Sequence, residues 1–215
     1  MPATAHHFSL TLRVSRVQAP VTNLGPGRRI ALWVQGCDLG CPGCISPAMQ
    51  TPTGGVAVDV RALAESLAAG PDSIDGLTIS GGEPFQQYLA LMALCTYYKL
   101  LCQRSILVYT GFRLAELERR HPDLAFAHAL DYLIDGRYLR RRHEGGWRGS
   151  ANQCLYRFVA GHAQPCQPNW PTTEKALILS VPDARSATLV GIPRRGHLQS
   201  LGKTLRAVGL RTRLT

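Results

Sequence analysis

The chain has 215 residues, of which 45% are hydrophobic and 18% charged, values that suit one globular domain and exclude an intrinsically disordered protein. No apolar run reaches the roughly 18 to 20 residues of a membrane-spanning helix and no apolar signal core begins the chain, so we expect a soluble cytoplasmic protein. The formal net charge of +10 favours an anionic partner, but charge alone identifies neither a fold nor a reaction.

The first part of the chain predicts two strands followed by a helix. Residues 8–14 alternate apolar and more polar side chains, which is the period of a strand with one buried face. After an interruption at Pro20, the apolar run Ile30 to Val34 is typical of a buried strand. Asp59 can then cap a helix over residues 60–69, which a Gly-Pro pair ends.

The middle of the chain continues this alternation. Strands are predicted over residues 77–80, 106–109 and 132–134, and helices over residues 86–101 and 113–120. Such alternation implies right-handed crossovers and a mostly parallel sheet, whose functional residues lie on loops at the carboxyl ends of the strands. Four candidate functional residues follow or end a predicted strand, and we expect them to share one site: Cys37, Gly81, Tyr109 and Asp135.

The last part of the chain differs from the rest. Three prolines between residues 165 and 171 indicate a linker, after which residues 177–181 and 189–192 are strand candidates. A closing helix ended by Gly209 is predicted from apolar residues at helical spacing: Leu198, Leu201, Leu205 and Val208. We therefore expect a core over residues 1–155 and a C-terminal α/β extension over residues 156–215, packed on the core.

Cysteines form the strongest local pattern. The seven cysteines, in a chain without a recognisable secretion signal, argue against a disulfide framework. Three of them lie on one predicted loop at C-x3-C-x2-C spacing: Cys37, Cys41 and Cys44. Soft thiolates at this spacing select an iron–sulfur cluster or zinc. Structural zinc normally takes four ligands, and Cys154, His162 and Cys166 could supply a fourth, so both metals stay open on this pattern.

A second motif, Ser-Gly-Gly-Glu-Pro, occupies residues 80–84 directly after a predicted strand. Glycines without a Cβ let the backbone approach a ligand closely, and the carboxylate of Glu83 adds a hydrogen-bond acceptor. A plain turn is the alternative, since glycine and proline are common in turns.

The two motifs together resemble the radical S-adenosylmethionine superfamily. The resemblance implies a partial (β/α) barrel of mostly parallel strands and a [4Fe–4S] cluster on Cys37, Cys41 and Cys44. It also implies reductive cleavage of S-adenosylmethionine to a 5′-deoxyadenosyl radical. The motif residues that it assigns to cofactor binding are Ser80, Gly81, Gly82, Glu83 and Pro84.

Further strings between residues 14 and 153 resemble one branch, the anaerobic ribonucleotide reductase activating proteins and pyruvate formate-lyase activases. The strings are Asn-Leu-Gly-Pro-Gly-Arg (23–28), Val-Gln-Gly-Cys (34–37), Cys-Pro-Gly-Cys (41–44), Tyr-Thr-Gly-Phe (109–112), Asp-Gly-Arg-Tyr (135–138), and Trp-Arg-Gly-Ser with Asn-Gln (147–153). Members of this branch form a glycyl radical on a partner enzyme. Their electron donors are of the flavodoxin or ferredoxin type.

This branch resemblance carries over to particular residues. It implies an adenosyl site lined by Tyr109, Thr110, Gly111 and Asp135, and it implies that residues 147–153 lie near the cofactor or the partner's glycine loop. The chain departs from the pattern at Ile45, where an aromatic residue is common, and at Ser46, where asparagine is usual.

Alternative functions follow from the same residues. One is a small-molecule radical enzyme similar to the 7-carboxy-7-deazaguanine synthases, and another is an enzyme that modifies a peptide or protein encoded elsewhere. A third is a zinc-stapled module that binds nucleic acid through a basic tail without acidic residues after position 184. Aromatic residues for base stacking are scarce there, since only Trp170 lies beyond Phe158. A second basic cluster, which could meet an acidic partner or only solvent, comprises Arg137, Arg140, Arg141, Arg142 and Arg148.

Overall fold

The computed structural model describes residues 9–166, 177–183, 186–194 and 196–207. One sheet of eight strands is formed by β1 (Thr11–Val21), β2 (Arg29–Val34), β3 (Val56–Asp59), β4 (Gly76–Gly81), β5 (Ser105–Tyr109), β6 (Tyr132–Asp135), β7 (Cys154–Val159) and β8 (His162–Pro165). A separate two-stranded sheet pairs β9 (Ile178–Asp183) with β10 (Ser186–Val190). The helices are α1 (Val60–Ala68), α2 (Tyr88–Cys102), α3 (Leu114–Arg120), α4 (Ala125–Ala129) and α5 (His197–Ala207).

The large sheet has the order β3-β1-β2-β4-β5-β6-β7-β8. Its central strands β2, β4, β5 and β6 are parallel, while the two strands on each side pair antiparallel. In register, Val34 lies beside Gly81, and Tyr109 lies beside Ile134. The loops that follow the parallel strands therefore meet at one edge of the sheet, where the candidate motifs lie.

All four helices of the core pack on the same face of this sheet. Strand residues such as Leu32 and Ile79 are fully buried in one cluster with Leu63 of α1, Leu94 of α2 and Leu117 of α3. Parallel strands that follow one another in a single direction require this arrangement, because each right-handed crossover places its helix on the same side. Burying each such leucine contributes about 1.5–3 kcal/mol before entropy costs.

The opposite face of the sheet has a different covering. Alternate residues of β2, Ala31 and Trp33, point to this face and share a second buried cluster with Val190 from the end of β10. At the start of β2, the fully buried guanidinium of Arg29 donates to Thr78 Oγ1 at 2.6 Å and to the Leu77 carbonyl at 2.7 Å. Burial lowers the pKa of Arg29 to about 10. Hydrogen bonds to neutral oxygens thus hold a cation at the end of the sheet away from the cysteines.

Most predicted elements are confirmed. The helix α1 begins after Asp59, whose carboxylate accepts from the Ala62 N–H at 2.8 Å. The first strand is longer than predicted: β1 runs through Pro20 to Val21, with a register shift between Gln18 and Val21 that accommodates a residue without an N–H. In the described residues no helix is long and apolar enough to cross a membrane.

Two features differ from the sequence predictions. The sheet is mixed rather than mostly parallel, because β1 and β3 on one side and β7 and β8 on the other pair antiparallel. The β7–β8 hairpin continues the sheet beyond residue 155, and its Phe158 belongs to the helix-side core. The short elements β3 and α4 were not predicted. The linker expected between residues 165 and 171 falls almost wholly outside the described residues, as do Val208 and Gly209 at the end of the closing helix.

Candidate active site

The cysteine loop directly follows β2, and its thiols are half-buried: Cys37, Cys41 and Cys44. The loop closes on itself because the Cys37 N–H donates to the Gln50 carbonyl at 3.0 Å. Between the cysteines, Gly40 and Gly43 adopt φ values of 58° and 71°, a region that other residues rarely enter. These turns keep the three thiols on one short segment.

Gln35 fixes the end of the cysteine loop, around residues 48–51. Its side chain is buried, and Nε2 donates to the carbonyls of Ala48 at 3.0 Å and Thr51 at 2.7 Å. The backbone carbonyl of Gln35 in turn accepts from Gln87 Nε2 at 3.1 Å. Sequence reasoning did not assign Gln35 a role, although it lies in the lead-in to the first cysteine.

The charge state of the thiols depends on their surroundings. Burial raises the pKa of the Cys37 and Cys41 thiols above the ordinary value. At Cys41 this rise is opposed by a hydrogen bond from the backbone N–H of Tyr138 and by the guanidinium of Arg137, which both lower the pKa. Metal binding would therefore have to displace protons from these thiols, as is general for cysteine ligands.

The donor chemistry of this loop fits a cubane. A zinc ion requires all its ligands within about 2.3 Å of one point, whereas a [4Fe–4S] cubane binds each thiolate through a different iron. Within the described part of the chain, no three His, Cys, Asp or Glu side chains are arranged around a point that a single ion could occupy. A loop with three soft thiolates suits a cluster that keeps one iron free of protein ligands.

The glycines of the Ser-Gly-Gly-Glu-Pro segment lie directly against the cysteine loop. Gly82 N–H donates to the Val34 carbonyl at 2.8 Å, and Glu83 N–H donates to the Gly36 carbonyl at 2.9 Å. A Cβ on Gly82 would lie 2.2 Å from the Gly36 oxygen, and Gly81 has a φ of 103°. The contact between the two loops alone therefore requires glycine at both positions.

Glu83 connects this segment to the loop after β5. Its carboxylate is buried and accepts hydrogen bonds from the Phe85 N–H at 3.0 Å, the Thr110 hydroxyl at 2.8 Å and the Gly111 N–H at 2.7 Å. Burial is the largest influence and raises the pKa of Glu83 to about 7, although the three hydrogen bonds oppose the rise. The side chain that we expected to accept from a ligand thus already serves as a brace between two loops.

The flanking residues of the motif differ in exposure. Ser80, Gly81 and Gly82 are half-buried and reachable from solvent, whereas Pro84 is buried and begins a short 3-10 turn. The open part of the motif therefore consists of its first three residues.

The expected adenosyl residues lie at the same edge of the sheet but in unlike surroundings. The Tyr109 hydroxyl is buried and has no hydrogen-bond partner among the described residues, and burial raises its pKa. Asp135 accepts from the N–H groups of Leu114 at 2.7 Å and Cys154 at 3.2 Å. Asp135 thus joins the start of α3 to β7, while Tyr109 keeps an unsatisfied polar atom, which is uncommon in a folded protein.

Residues 147–153 approach Ile45, the residue after the third cysteine. The buried Gln153 accepts from Gly149 N–H at 2.8 Å and donates from Nε2 to the Gly136 carbonyl at 2.8 Å. A Cβ on Gly149 would lie 3.1 Å from the Tyr138 ring and 3.3 Å from Ile45 Cδ1. Ile45, one of the two residues at which the chain departs from the activase pattern, therefore packs against the Trp-Arg-Gly-Ser segment.

Known proteins resemble this chain over the part that forms the site. Residues 23–156 match the family described as "4Fe-4S single cluster domain". The anaerobic ribonucleoside-triphosphate reductase-activating protein of Haemophilus influenzae is 32% identical over 142 residues, which are 62% of this chain and 90% of that protein. The proteins of the same name from Pasteurella multocida and Vibrio cholerae are each 32% identical over 143 residues, 63% of this chain, and are covered to 90% and 91%.

The residues after position 156, including β9, β10 and α5, lie outside the family match. Within the match lie the three cysteines, the Ser-Gly-Gly-Glu-Pro segment and the loops after β5 and β6. The family match covers more than half of the chain, and the alignments cover about nine tenths of each relative. The chain therefore belongs to the single-cluster 4Fe-4S family of anaerobic ribonucleoside-triphosphate reductase-activating proteins.

Proposed function

We propose that this protein is a radical S-adenosylmethionine enzyme that activates a glycyl-radical enzyme of the anaerobic ribonucleoside-triphosphate reductase type. The observation that carries the proposal is the contact between two loops at one sheet edge, in which Gly82 lies against Gly36, the residue before Cys37. Membership of a family whose relatives bear that activating name supports the same function.

A [4Fe–4S] cluster bound here would supply one electron to the sulfonium of S-adenosylmethionine, giving methionine and a 5′-deoxyadenosyl radical that removes a hydrogen atom from a glycine Cα of the partner. The protein's part is to bind and orient. Cys37, Cys41 and Cys44 would hold the cluster, and the accessible residues from Ser80 to Gly82 would lie against the methionine part of the cofactor.

We infer that the loop from Tyr109 to Gly111 lies against the adenosyl group. The Tyr109 hydroxyl itself is buried within electrostatic reach of Arg29 and has no hydrogen-bond partner among the described residues. Asp135 and Thr110, whose bonds are made within the protein, would hold the surrounding loops in position.

The fold type, the electron donor and the cellular compartment are also part of this proposal. We infer that the helix-covered sheet is the partial (β/α) barrel of the radical enzymes, with the site on the face opposite the helices. A flavodoxin or ferredoxin-like protein would provide the electron. A reducing compartment such as the cytoplasm would keep the thiols available for the cluster.

The experiment that tests this function uses the anaerobic ribonucleoside-triphosphate reductase of the same organism, with its glycines deuterated. After anaerobic mixing with reduced activase and S-adenosylmethionine, we expect a glycyl radical in the electron paramagnetic resonance spectrum and deuterium in the 5′-deoxyadenosine formed. Production of 5′-deoxyadenosine without deuterium or a protein radical would indicate a small-molecule substrate instead.

A further inference from the structure

Two described residues of the C-terminal extension pack on the face of the sheet that the helices leave open. Val190, the last residue of β10, is only 1% exposed and is buried against Leu24, Ala31 and Trp33. Ile178 of β9 packs on the same cluster. The paired ends of β9 and β10 therefore pack on the main sheet through Ile178 and Val190.

From the end of β10 the chain continues as a strap, defined here as residues 190–194. At one end Asn23 Nδ2 donates to the Val190 carbonyl at 2.7 Å. At the other end the Gly146 N–H donates to the Ile192 carbonyl at 3.4 Å, and a Cβ on Gly145 would lie 3.2 Å from Arg194 Cα. The strap thus joins the loop after β1 to the loop around Gly145.

His143 fastens the strap to the support of the cysteine loop. Its Nε2 bonds to the Pro193 carbonyl, which can only accept, so Nε2 carries the proton. The other ring nitrogen bonds to the Tyr138 hydroxyl at 3.0 Å. Since the Tyr138 N–H faces the Cys41 sulfur, two residues connect the strap to a cysteine of the candidate cluster.

The position of the strap bears on access to the site. The helices occupy one face of the sheet and Val190, the first strap residue, packs on the other, so a protein loop that reached the site edge over that face would meet the strap. A small cofactor does not face this obstacle, because Ser80, Gly81 and Gly82 stay half-exposed beside the covered Trp33. The extension also lies outside the family match, so the strap is an addition to the shared core.

We propose that the strap is a gate that a partner's glycine-bearing loop must displace, so that the C-terminal extension regulates radical transfer without controlling cofactor cleavage. The proposal rests on the proposed function, since it names the protein substrate of that site. His143 holds the strap closed through its hydrogen bond to the Pro193 carbonyl. It does not touch cofactor or substrate.

Hydrogen–deuterium exchange of the full-length protein, reconstituted with its cluster, tests the gate. We expect that adding the organism's anaerobic ribonucleoside-triphosphate reductase, with S-adenosylmethionine present, accelerates exchange in peptides covering residues 186–194 and at the Gly146 amide. His143→Ala should accelerate the same amides about fivefold without the reductase, the change that loss of one hydrogen bond gives in an opening equilibrium.

Two matched variants keep this test decisive. His143→Gln retains a donor for the Pro193 carbonyl and an acceptor for the Tyr138 hydroxyl, and is expected to restore wild-type exchange. Asn23→Ala loosens the opposite end of the strap and is expected to act like His143→Ala. Either loosened variant should form the glycyl radical faster. For Asn23→Ala, whose bond lies at the end of the strap away from His143, 5′-deoxyadenosine production in the absence of reductase should change by less than about twofold.

Two different results would overturn the gate and the proposed function. Glycyl radical formation while strap exchange stays constant or slows on adding reductase would overturn the gate and leave the proposed function intact. A cluster-loaded protein that makes no 5′-deoxyadenosine would overturn the proposed function, and the gate with it.

Discussion

Glu83 is the residue whose surroundings most clearly set its chemistry. It is 1% exposed and braces two loops through three hydrogen bonds. Its pKa rises from 4.5 to about 7 in the folded protein. The folded state therefore binds more protons than the unfolded state between these values, and stability falls as the pH rises through that window.

We predict that the unfolding free energy of the cluster-free protein decreases by about 3 kcal/mol between pH 4.5 and about 7 because of Glu83. Glu83→Gln, which cannot titrate, should show a correspondingly flatter pH dependence. Urea denaturation of both proteins across this range measures the difference. Parallel curves for the two proteins would show that Glu83 is not the group responsible.

Cys41 tests the ligand assignment. We predict that Cys41→Ser abolishes assembly of the iron–sulfur cluster, because hydroxyl oxygen is a poor replacement for thiolate on iron. Cys154→Ser is the matched control, since Cys154 is exposed and stands outside the trio. Iron and sulfide analysis with the visible absorbance spectrum measures both variants. A full cluster in Cys41→Ser, or its loss in Cys154→Ser alone, would contradict the assignment.

At the residue scale, the sequence predicts candidate chemical residues but not the residues that support them. The cysteine spacing and the Gly-Gly-Glu-Pro string can be recognised from the sequence alone, because thiolates and glycines have few chemical roles. Gln35 and His143 could not be found this way, since their roles depend on carbonyl groups that only the fold brings near. The close packing of Gly82 on Gly36 is likewise a property of two loops in contact.

At the element scale, the junction of the loops after β2 and β4 determines the site. We predict that Gly82→Ala destabilises the protein by about 1–3 kcal/mol and lowers cluster content, because its methyl group would lie 2.2 Å from the Gly36 oxygen. Thermal unfolding and iron content measure the two effects.

Gly202→Ala provides the control for this substitution. Gly202 lies within α5 and a Cβ there meets only Arg206 at ordinary distances of 3.7 Å or more, so alanine should stabilise by about 0.5–1 kcal/mol. Equal behaviour of the two variants would mean that the contact between the loops does not matter.

The elements that sequence reasoning identified are the long or strongly periodic ones. The amphipathic α1, with its capping Asp59, and the apolar run of β2 carry clear local signals. In contrast, β3 and α4 span only four and five residues, too few for a period to be visible. The edge strands β7 and β8 gain their structure by pairing with β6 and each other, which local composition does not reveal.

At the scale of the whole molecule, the basic surface near the cysteine loop is a candidate docking surface for a partner protein. Arg141 and Arg142 are exposed, and neighbouring Arg137 donates to the Leu39 carbonyl within the cysteine loop at 3.1 Å. A positive surface beside the site would attract an acidic protein and would raise the rate at which the two proteins associate.

We predict that Arg141→Glu with Arg142→Glu slows glycyl radical formation on the reductase about tenfold at low salt, while 5′-deoxyadenosine production without reductase is retained. The difference from wild type should shrink as salt is added. Arg61→Glu, on the exposed surface of α1, is the control for a charge reversal away from the site. Equal loss of both activities in the double variant would reject a docking role for this surface.

The central claim is the proposed radical cleavage of S-adenosylmethionine by a cluster on three cysteines. Anaerobic reconstitution with iron and sulfide, followed by reduction in the presence of S-adenosylmethionine and assay of 5′-deoxyadenosine, addresses that chemistry without requiring a partner. We expect 5′-deoxyadenosine and methionine from the wild type and neither product from Cys41→Ser. A wild-type protein that carries its cluster and binds S-adenosylmethionine yet leaves it intact would contradict this function.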